Sequence, residues 1–255
     1  MTPASEPCQF GYDAALMGMY HGVVGHARVG MLLCPPLGQA LVRTHRVYRQ
    51  LAAGLAVRGI PALRFDYRGS GDSAGDSLAL DWQHCLEDIR SAAAELRVRS
   101  GCALVVGFGA QLGGSLALAA TSTAGFAQLI LWDPVLDGAR HVATLDRLQE
   151  ELRTDPMHYT RPRSLQDTAG QWLGFAVSPR WRSQLAAWGA QPARVPTLVI
   201  DSLPAPEGWS PLAEAGARVV AMQPATQWDD LHRLEHAILA PGLLQLVRGA
   251  LEQVA

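Results

Sequence analysis

Runs of apolar residues of strand length alternate along this chain with segments whose apolar residues recur at helical spacing. The strand-length runs are continuous, a pattern that is typical of strands buried on both faces. They lie at Val29–Leu33, Ile60–Phe65, Ala103–Val106, Ala127–Trp132, Thr197–Ile200 and Arg218–Met222. Residues Gln9–Tyr20 are typical of an antiparallel hairpin at the front edge of the same sheet.

Three apolar stripes at helical spacing lie between or after these runs. They comprise Leu41, Tyr48, Leu51 and Leu55, then Trp82, Cys85, Ile89, Ala92 and Leu96, then Leu243, Leu246, Val247, Ala250, Leu251 and Val254. Strand–helix alternation over the whole length predicts an α/β fold, with a mostly parallel sheet of about eight strands and helices on both faces. No repeat interrupts it, so we expect one domain over residues 1–255.

The alternation breaks once, from Arg140 to Gln191, in a segment that is mostly helical and rich in polar residues. It follows a predicted strand, and ligands of such sheets bind at the carboxyl ends of the strands. We therefore expect residues 140–191 to form a helical cap insertion over that edge. The alternative is a longer surface connection.

Composition narrows the function classes. With 49% hydrophobic residues the chain is not a disordered protein, and a net charge of -2 gives no basic excess for binding nucleic acid. No apolar run approaches the roughly 20 residues of a membrane-spanning helix, and MTPASEPCQF lacks the features of a signal peptide. All 21 basic residues are arginine, and asparagine is absent too, which indicates a GC-rich, bacterial genome.

The four cysteines, Cys8, Cys34, Cys85 and Cys102, form no C-x-x-C pair. This spacing favours neither a metal site nor a redox dithiol, and we expect a reduced, cytoplasmic protein with no cofactor. Cys85 and Cys102 lie in apolar runs and are expected to be small core residues.

The segment that bears most on chemistry runs from Val105 to Ser115. A buried strand, a glycine-containing turn and a helix of small residues are the features of the nucleophile elbow, G-x-S-x-G. The matching pentapeptide is Gly109-Ala110-Gln111-Leu112-Gly113, so Gln111 stands at the nucleophile position. An amide has no proton that a base could usefully remove. Ser115 comes one helical turn too late and is expected to point into the helix packing.

The turn after the first strong strand, Cys34-Pro35-Pro36-Leu37-Gly38-Gln39, is a stiff loop. Its backbone N–H groups at Leu37 and Gly38, with that of Leu112, are candidates for an oxyanion hole. The alternative is a rigid connection without a ligand.

Several of these segments together resemble the α/β-hydrolase superfamily, and within it bacterial serine-aminopeptidase-like or exosortase-system-associated hydrolases. The resembling stretches are LLCPPLGQALVRTHRVYRQLAAGLAVRG, ALRFDYRGSGDSAGD, VVGFGAQLGGSLAL, LILWDPVLDG and WLGFAVSP. The resemblance implies an α/β-hydrolase fold. It implies little about the substrate, since this superfamily hosts many chemistries.

The resemblance also implies an order of catalytic groups along the chain: nucleophile, acid, histidine. Asp201 after one late strand, Asp133 after the preceding strand and Glu207 in a proline-rich loop are the candidate acids. Asp133 precedes a proline, so a simple turn is its alternative. His232 is the candidate base; it shares a helical face with His236, and a solvated face is the alternative.

Three function classes follow. The first is a protein that acts on or binds a small acyl ligand (ester, thioester or amide-like) without a serine nucleophile. The second is a non-hydrolytic enzyme, such as a lyase, cyclase or isomerase, that needs only acid–base groups. The third is a non-catalytic pseudo-hydrolase that binds a ligand or a partner protein. The expected partner is a small molecule, with a partner protein or a second copy as alternatives, and neither nucleic acid nor membrane.

Overall fold

The strands come where the apolar runs predict them. The computed structural model describes residues 5–189, 191–205 and 208–252. Its strands are β1 (Ser5–Phe10), β2 (Leu16–His21), β3 (Val29–Cys34), β4 (Ala62–Phe65), β5 (Leu104–Ala110), β6 (Phe126–Trp132), β7 (Gln171–Trp172), β8 (Phe175–Ala176), β9 (Thr197–Asp201) and β10 (Arg218–Ala221). All but β7 and β8 form one eight-stranded sheet in the order β1-β2-β4-β3-β5-β6-β9-β10. This confirms the predicted mostly parallel sheet.

The front of the sheet is an antiparallel hairpin, as the sequence predicts. Ser5 lies opposite His21 in the pairing of β1 with β2, and β2 runs antiparallel to β4. Every pairing from β4 through β3, β5, β6 and β9 to β10 is parallel. Their carboxyl ends therefore meet at one edge, where the loops that follow β3, β5, β6 and β10 come together.

Helices cover both faces of the sheet. They are α1 (Gln39–Ala56), α2 (Trp82–Ser100), α3 (Leu112–Ala119), α4 (Thr121–Ala124), α5 (Gly138–Thr154), α6 (Pro179–Ala186), α7 (Ser210–Ala213) and α8 (Leu243–Leu251). The apolar stripes of α1 and α8 pack with Met31 and Leu33 on one face. Those of α2 and α3 pack with Leu32 on the other. Successive residues of β3 point to opposite faces, so both layers are anchored on the same strand.

The last strand departs from the sequence prediction. Arg218–Met222 was expected to be buried on both faces, yet β10 lies at the edge of the sheet, pairs only with β9 and is mostly exposed, with Val219 38% accessible. A short apolar run does not by itself distinguish an inner strand from an edge strand, because neighbours, not residues, decide burial.

Residues 138–189, between β6 and β9, carry α5, the β7–β8 hairpin and α6. The Asp81 carboxylate joins this segment to the body of the protein: it caps α2 and also accepts a hydrogen bond from Gln184 on α6 at 2.7 Å. Trp82 beside it packs on Trp188, with ring centroids 4.9 Å apart. These contacts fix the segment against the amino end of α2.

The four cysteines are buried free thiols, and Cys85 and Cys102 lie in the core as predicted. Across residues 5–189, 191–205 and 208–252, no helix has both the length and the apolarity to span a lipid bilayer.

Candidate functional site

A strained turn joins β5 to α3, and Gln111 is the residue at its apex. Its φ of 48° and ψ of -128° are rarely adopted by residues other than glycine, and such strain costs about 1–3 kcal/mol. A hydrogen bond to the neighbouring strand β6 stabilises the turn: the Gln111 N–H donates to the Trp132 carbonyl at 3.0 Å. A residue whose backbone is strained, at the carboxyl edge of such a sheet, is typical of a functional position.

Glycines allow the close packing around this turn. A Cβ at Gly109 would lie 2.4 Å from the backbone of Gly113, and one at Gly113 would lie 2.4 Å from the Cys34 carbonyl oxygen. The α3 helix therefore touches the loop that follows β3. This contact brings the β5–α3 turn and the β3–α1 loop close to each other.

The hydroxyl of Tyr48 on α1 bridges the end of β5 and the end of β3. Its buried hydroxyl accepts a hydrogen bond from the Ala110 N–H at 2.8 Å and donates one to the Cys34 carbonyl at 3.0 Å. Burial raises the pKa of this phenol well above its usual value, so it stays protonated as the donor. The sequence analysis placed Tyr48 only in an apolar stripe, since nothing in the helical spacing distinguishes a bridging hydroxyl from a packed ring.

The side chain of Gln111 is anchored. Its Nε2 donates to the carbonyl oxygen of Asp133 at 2.8 Å, so backbone and side chain are both bound to the end of β6. The side-chain amide offers a hydrogen-bond donor and an acceptor and no nucleophilic atom.

The carboxylate of Asp133 is 1% exposed and receives three hydrogen bonds. They come from the Ser202 N–H at 2.7 Å, the Ser202 hydroxyl at 2.5 Å and the Trp228 indole N–H at 2.8 Å. Burial raises the pKa of Asp133 to about 6, and the three donors partly oppose this shift. The carboxyl group thus forms the centre of a buried polar network, which the Thr226 hydroxyl extends through Ser202.

Trp228 lies in the connection after β10 that also carries His232, the candidate base. The Trp228 carbonyl accepts a hydrogen bond from buried Arg43 at 2.7 Å, which fixes this part of the loop. An indole N–H only donates, so Trp228 satisfies Asp133 and offers no base. The signal in the sequence is its position after the last strand, where the resemblance implies a histidine and not a tryptophan.

The structure does not bring the other triad candidates to Gln111. Asp201 accepts a hydrogen bond from the Leu203 N–H at 3.2 Å, and His232 is exposed on the short 3-10 turn Leu231–Arg233. Neither residue lines the pocket described below. Glu207 lies outside the described residues. Ser115 donates to the Val135 carbonyl at 2.6 Å, a buried packing contact within the helix layer.

Gln111 lies at the floor of a cavity of about 130 Å³. Leu37, Gly38 and Leu112, the candidate oxyanion residues, all line it. The remaining walls are mostly apolar and come largely from residues 138–189, chiefly Leu145, Leu148, Trp172, Phe175 and Trp181. An apolar cavity with a few converging polar groups is typical of a small-molecule site.

Two titratable side chains, His141 and Asp229, also line this cavity. Burial lowers the pKa of His141 to about 4, so its imidazole is neutral at pH 7. Burial raises the pKa of Asp229, against the opposing effect of Arg147, Arg43 and Arg140. His141 is not among the site residues predicted from the sequence. Its spacing from Leu145 and Leu148 puts the three side chains on one face of α5. That spacing identifies His141 as a site residue only when this face is known to line the pocket.

Metal coordination is a separate question from this polar network. Within the described ranges, no group of three histidine, cysteine, aspartate or glutamate side chains could hold a metal ion.

Several solved structures share this fold over nearly their whole length. Est1E from Butyrivibrio proteoclasticus, solved with ferulic acid bound, is 16% identical with a TM-score of 0.63, over 94% of this chain and 95% of that one. A carboxyl esterase from Bacillus coagulans is 13% identical with a TM-score of 0.57, over 98% and 99%. An esterase from Pyrococcus furiosus is 10% identical with a TM-score of 0.66, over 99% and 91%. At these identities the likeness shows the α/β-hydrolase fold alone.

The family of the chain is assigned from its sequence, by a match to a family model. No curated protein sequence matches the chain. The family described as serine aminopeptidase, S33 matches residues 41–171, which include β5, the Gln111 turn and α3. That match covers more than half of the chain and confirms the resemblance noted in the sequence, and the chain belongs to the serine aminopeptidase S33 family of α/β hydrolases.

Proposed function

We propose that this protein binds a small acyl compound non-covalently in the Gln111 cavity, and that it does not form an acyl-enzyme. The observation that carries the proposal is the series Gln111, Asp133, Trp228, in which the buried acid hydrogen-bonds an indole instead of an imidazole. An acyl-enzyme needs a nucleophile, a base within hydrogen-bond reach and a group that orients the base. Gln111 and Trp228 supply neither of the first two.

The parts of the site that need neither a nucleophile nor a base support a binding role. The strained turn, the Tyr48 bridge and the close contact of Gly113 with the β3–α1 loop hold Leu37, Gly38 and Leu112 around one cavity. The backbone N–H groups of these residues are the donors that we propose for a carbonyl oxygen of the ligand. Some of the structural neighbours are named as esterases, and another holds ferulic acid, which supports an acyl compound as the ligand class.

The cavity sets the size of the ligand. Its volume of about 130 Å³ is close to the cavity of about 150 Å³ that holds benzene in another protein. A single ring or a short branched chain fits, with the carbonyl group at the Gln111 end.

We expect benzamide and methyl benzoate, used as probes, to bind with Kd values between about 1 and 10 mM, as nine or ten non-hydrogen atoms at modest efficiency allow. Ligand-observed NMR titration is sensitive enough to measure this. A Leu145→Trp substitution adds a ring inside the cavity and should abolish binding of both probes. Ala143→Trp adds the same ring on the exposed side of α5 and should leave the Kd unchanged. Absence of binding by both probes, or binding that survives Leu145→Trp, would contradict the proposal.

A second candidate function, acid–base catalysis without a covalent intermediate, is favoured by one observation. The neutral imidazole of His141 lines the same cavity as Gln111. A positioned imidazole can accept or deliver a proton in a lyase, cyclase or isomerase reaction, or take a proton from a water molecule that attacks an ester. Only the last of these reactions is open to the probes. Methyl benzoate that is converted to benzoate and methanol during long incubation, in a reaction that His141→Gln abolishes, supports catalysis, and unchanged probe signals support binding.

We also propose a reducing, cytoplasmic setting, because Cys8, Cys34, Cys85 and Cys102 are all free thiols.

A further inference from the structure

The side-chain amide of Gln111 is held in one orientation. Its Nε2 donates to the Asp133 carbonyl at 2.8 Å, while the Gln111 N–H is bound to the Trp132 carbonyl. The reversed amide would place Oε1 against the Asp133 carbonyl oxygen, and two acceptors repel each other. Oε1 is therefore the acceptor that this amide presents to a ligand, beside the second hydrogen of Nε2.

This Oε1 has no donor within the part of the chain that the structure describes. Three side-chain atoms there are buried without a hydrogen-bond partner, namely Tyr67 Oη, Gln128 Oε1 and Trp209 Nε1. Gln111 Oε1 is not among them, so it is accessible, and Gln111 lines both the apolar cavity and an adjoining polar pocket that it shares with Asp133 and His141. The floor of the pocket thus presents a hydrogen-bond acceptor of fixed position.

Three residues that line the same cavity supply further hydrogen-bond donors. The backbone N–H of Leu112 begins α3, and the N–H groups of Leu37 and Gly38 lie in the loop that packs against it. None of the three donates a backbone hydrogen bond within the described residues. The first N–H groups of a helix have no partner inside the helix, so these donors are also left for a ligand.

We infer that the ligand class of this site is a neutral carboxamide carrying a small apolar or aromatic group, an inference that rests on the proposed function. The carbonyl oxygen of a carboxamide accepts from the backbone N–H groups while its own N–H donates to Gln111 Oε1. An ester has a carbonyl oxygen but no donor. A carboxylate would turn a second, charged acceptor toward Oε1.

The walls of the cavity agree with a neutral ligand. Leu145, Leu148, Trp172 and Phe175 offer an apolar surface to the substituent. An ion loses its hydration on entering such a site unless an opposite charge meets it, whereas an amide needs only hydrogen bonds. Asp229 on the wall adds a further reason against an anionic ligand.

Three probes with one ring, benzamide, methyl benzoate and sodium benzoate, test this inference by NMR titration at pH 7. Benzamide should bind about tenfold more tightly than either of the others. In Gln111→Met the acceptor is lost at similar side-chain length, and benzamide and methyl benzoate should come within about twofold of each other, while benzoate stays the weakest because the apolar walls and Asp229 remain. Gln83→Met makes the same exchange on the exposed face of α2 and should keep the tenfold preference.

Each outcome decides between the two proposals. Equal binding of benzamide and methyl benzoate overturns the carboxamide inference and leaves the proposed acyl-binding function in place. No binding of any probe overturns both. Tightest binding of benzoate, or a preference for benzamide over methyl benzoate that persists in Gln111→Met, also overturns the inference. If Gln111→Met does not fold by thermal melting, the comparison of the three probes on the native protein still decides it.

Discussion

Replacing Asp133 with alanine is expected to lower the free energy of unfolding by about 3 kcal/mol, because it leaves three buried donors without an acceptor. Those donors are the N–H and hydroxyl of Ser202 and the indole N–H of Trp228. The measurement is urea denaturation at pH 7. Asp201→Ala is the matched control, since that carboxylate is half-exposed and accepts one hydrogen bond; it should lose less than about 1 kcal/mol. Equal losses in the two variants would mean that Asp133 is not the centre of a buried network.

The same residue predicts an unusual dependence on pH. In the folded protein the pKa of Asp133 is about 6, above the value of about 3.9 expected when the chain is unfolded. The folded state therefore holds this proton more tightly, and its stabilising contribution is present below pH 4 and lost as the pH rises through 6. The advantage of the native protein over Asp133→Asn should shrink by about 2 kcal/mol between pH 4 and pH 7.5. An advantage that grows with pH would show that the ionised form is the favoured one.

Gly113→Ala is expected to cost at least about 3 kcal/mol and to lower the melting temperature sharply. The new Cβ would lie 2.4 Å from the Cys34 carbonyl oxygen and 2.5 Å from that of Pro35, and both are backbone atoms that cannot rotate away. Gly249→Ala is the control: it lies in α8 with nothing within 4 Å, and it should gain up to about 1 kcal/mol from helix propensity.

The outcome at Gly113 bears on the site as well as on the fold. Its contact with Cys34 and Pro35 holds the amides of Leu37 and Gly38 beside that of Leu112. If Gly113→Ala melts at the native temperature, the β3–α1 loop is not held against α3, and the arrangement of backbone donors described above is incorrect.

Local patterns in the sequence predict the sheet and the turn at Gln111. The apolar runs locate every parallel strand, and the glycines at 109 and 113 indicate a close approach that only a tight strand–helix turn requires. These features depend on residues that are near one another in the chain. The exposed edge position of β10 is a property of its neighbours, and the same run of residues is compatible with either place in the sheet.

The contacts around Asp133 and in the cavity cannot be predicted from local sequence patterns. Trp228 is 95 residues from Asp133, and its role exists only because the loop after β10 meets the end of β6. His141 enters the cavity because α5 packs with one face toward Gln111, which no local pattern reports. Tyr48 is a core residue by spacing and a bridge by geometry.

Intact-mass spectrometry tests the central claim most directly. The native protein is incubated with a fluorophosphonate and, separately, with p-nitrophenyl butyrate, and its mass is followed over time beside the Gln111→Ser variant. Since Trp228 offers no base to activate a hydroxyl, neither protein is expected to gain the mass of the phosphonyl or butyryl group. A stoichiometric adduct on the native chain, or rapid acylation of Gln111→Ser at position 111, would show that a working nucleophile–base pair is present and would contradict the non-covalent account.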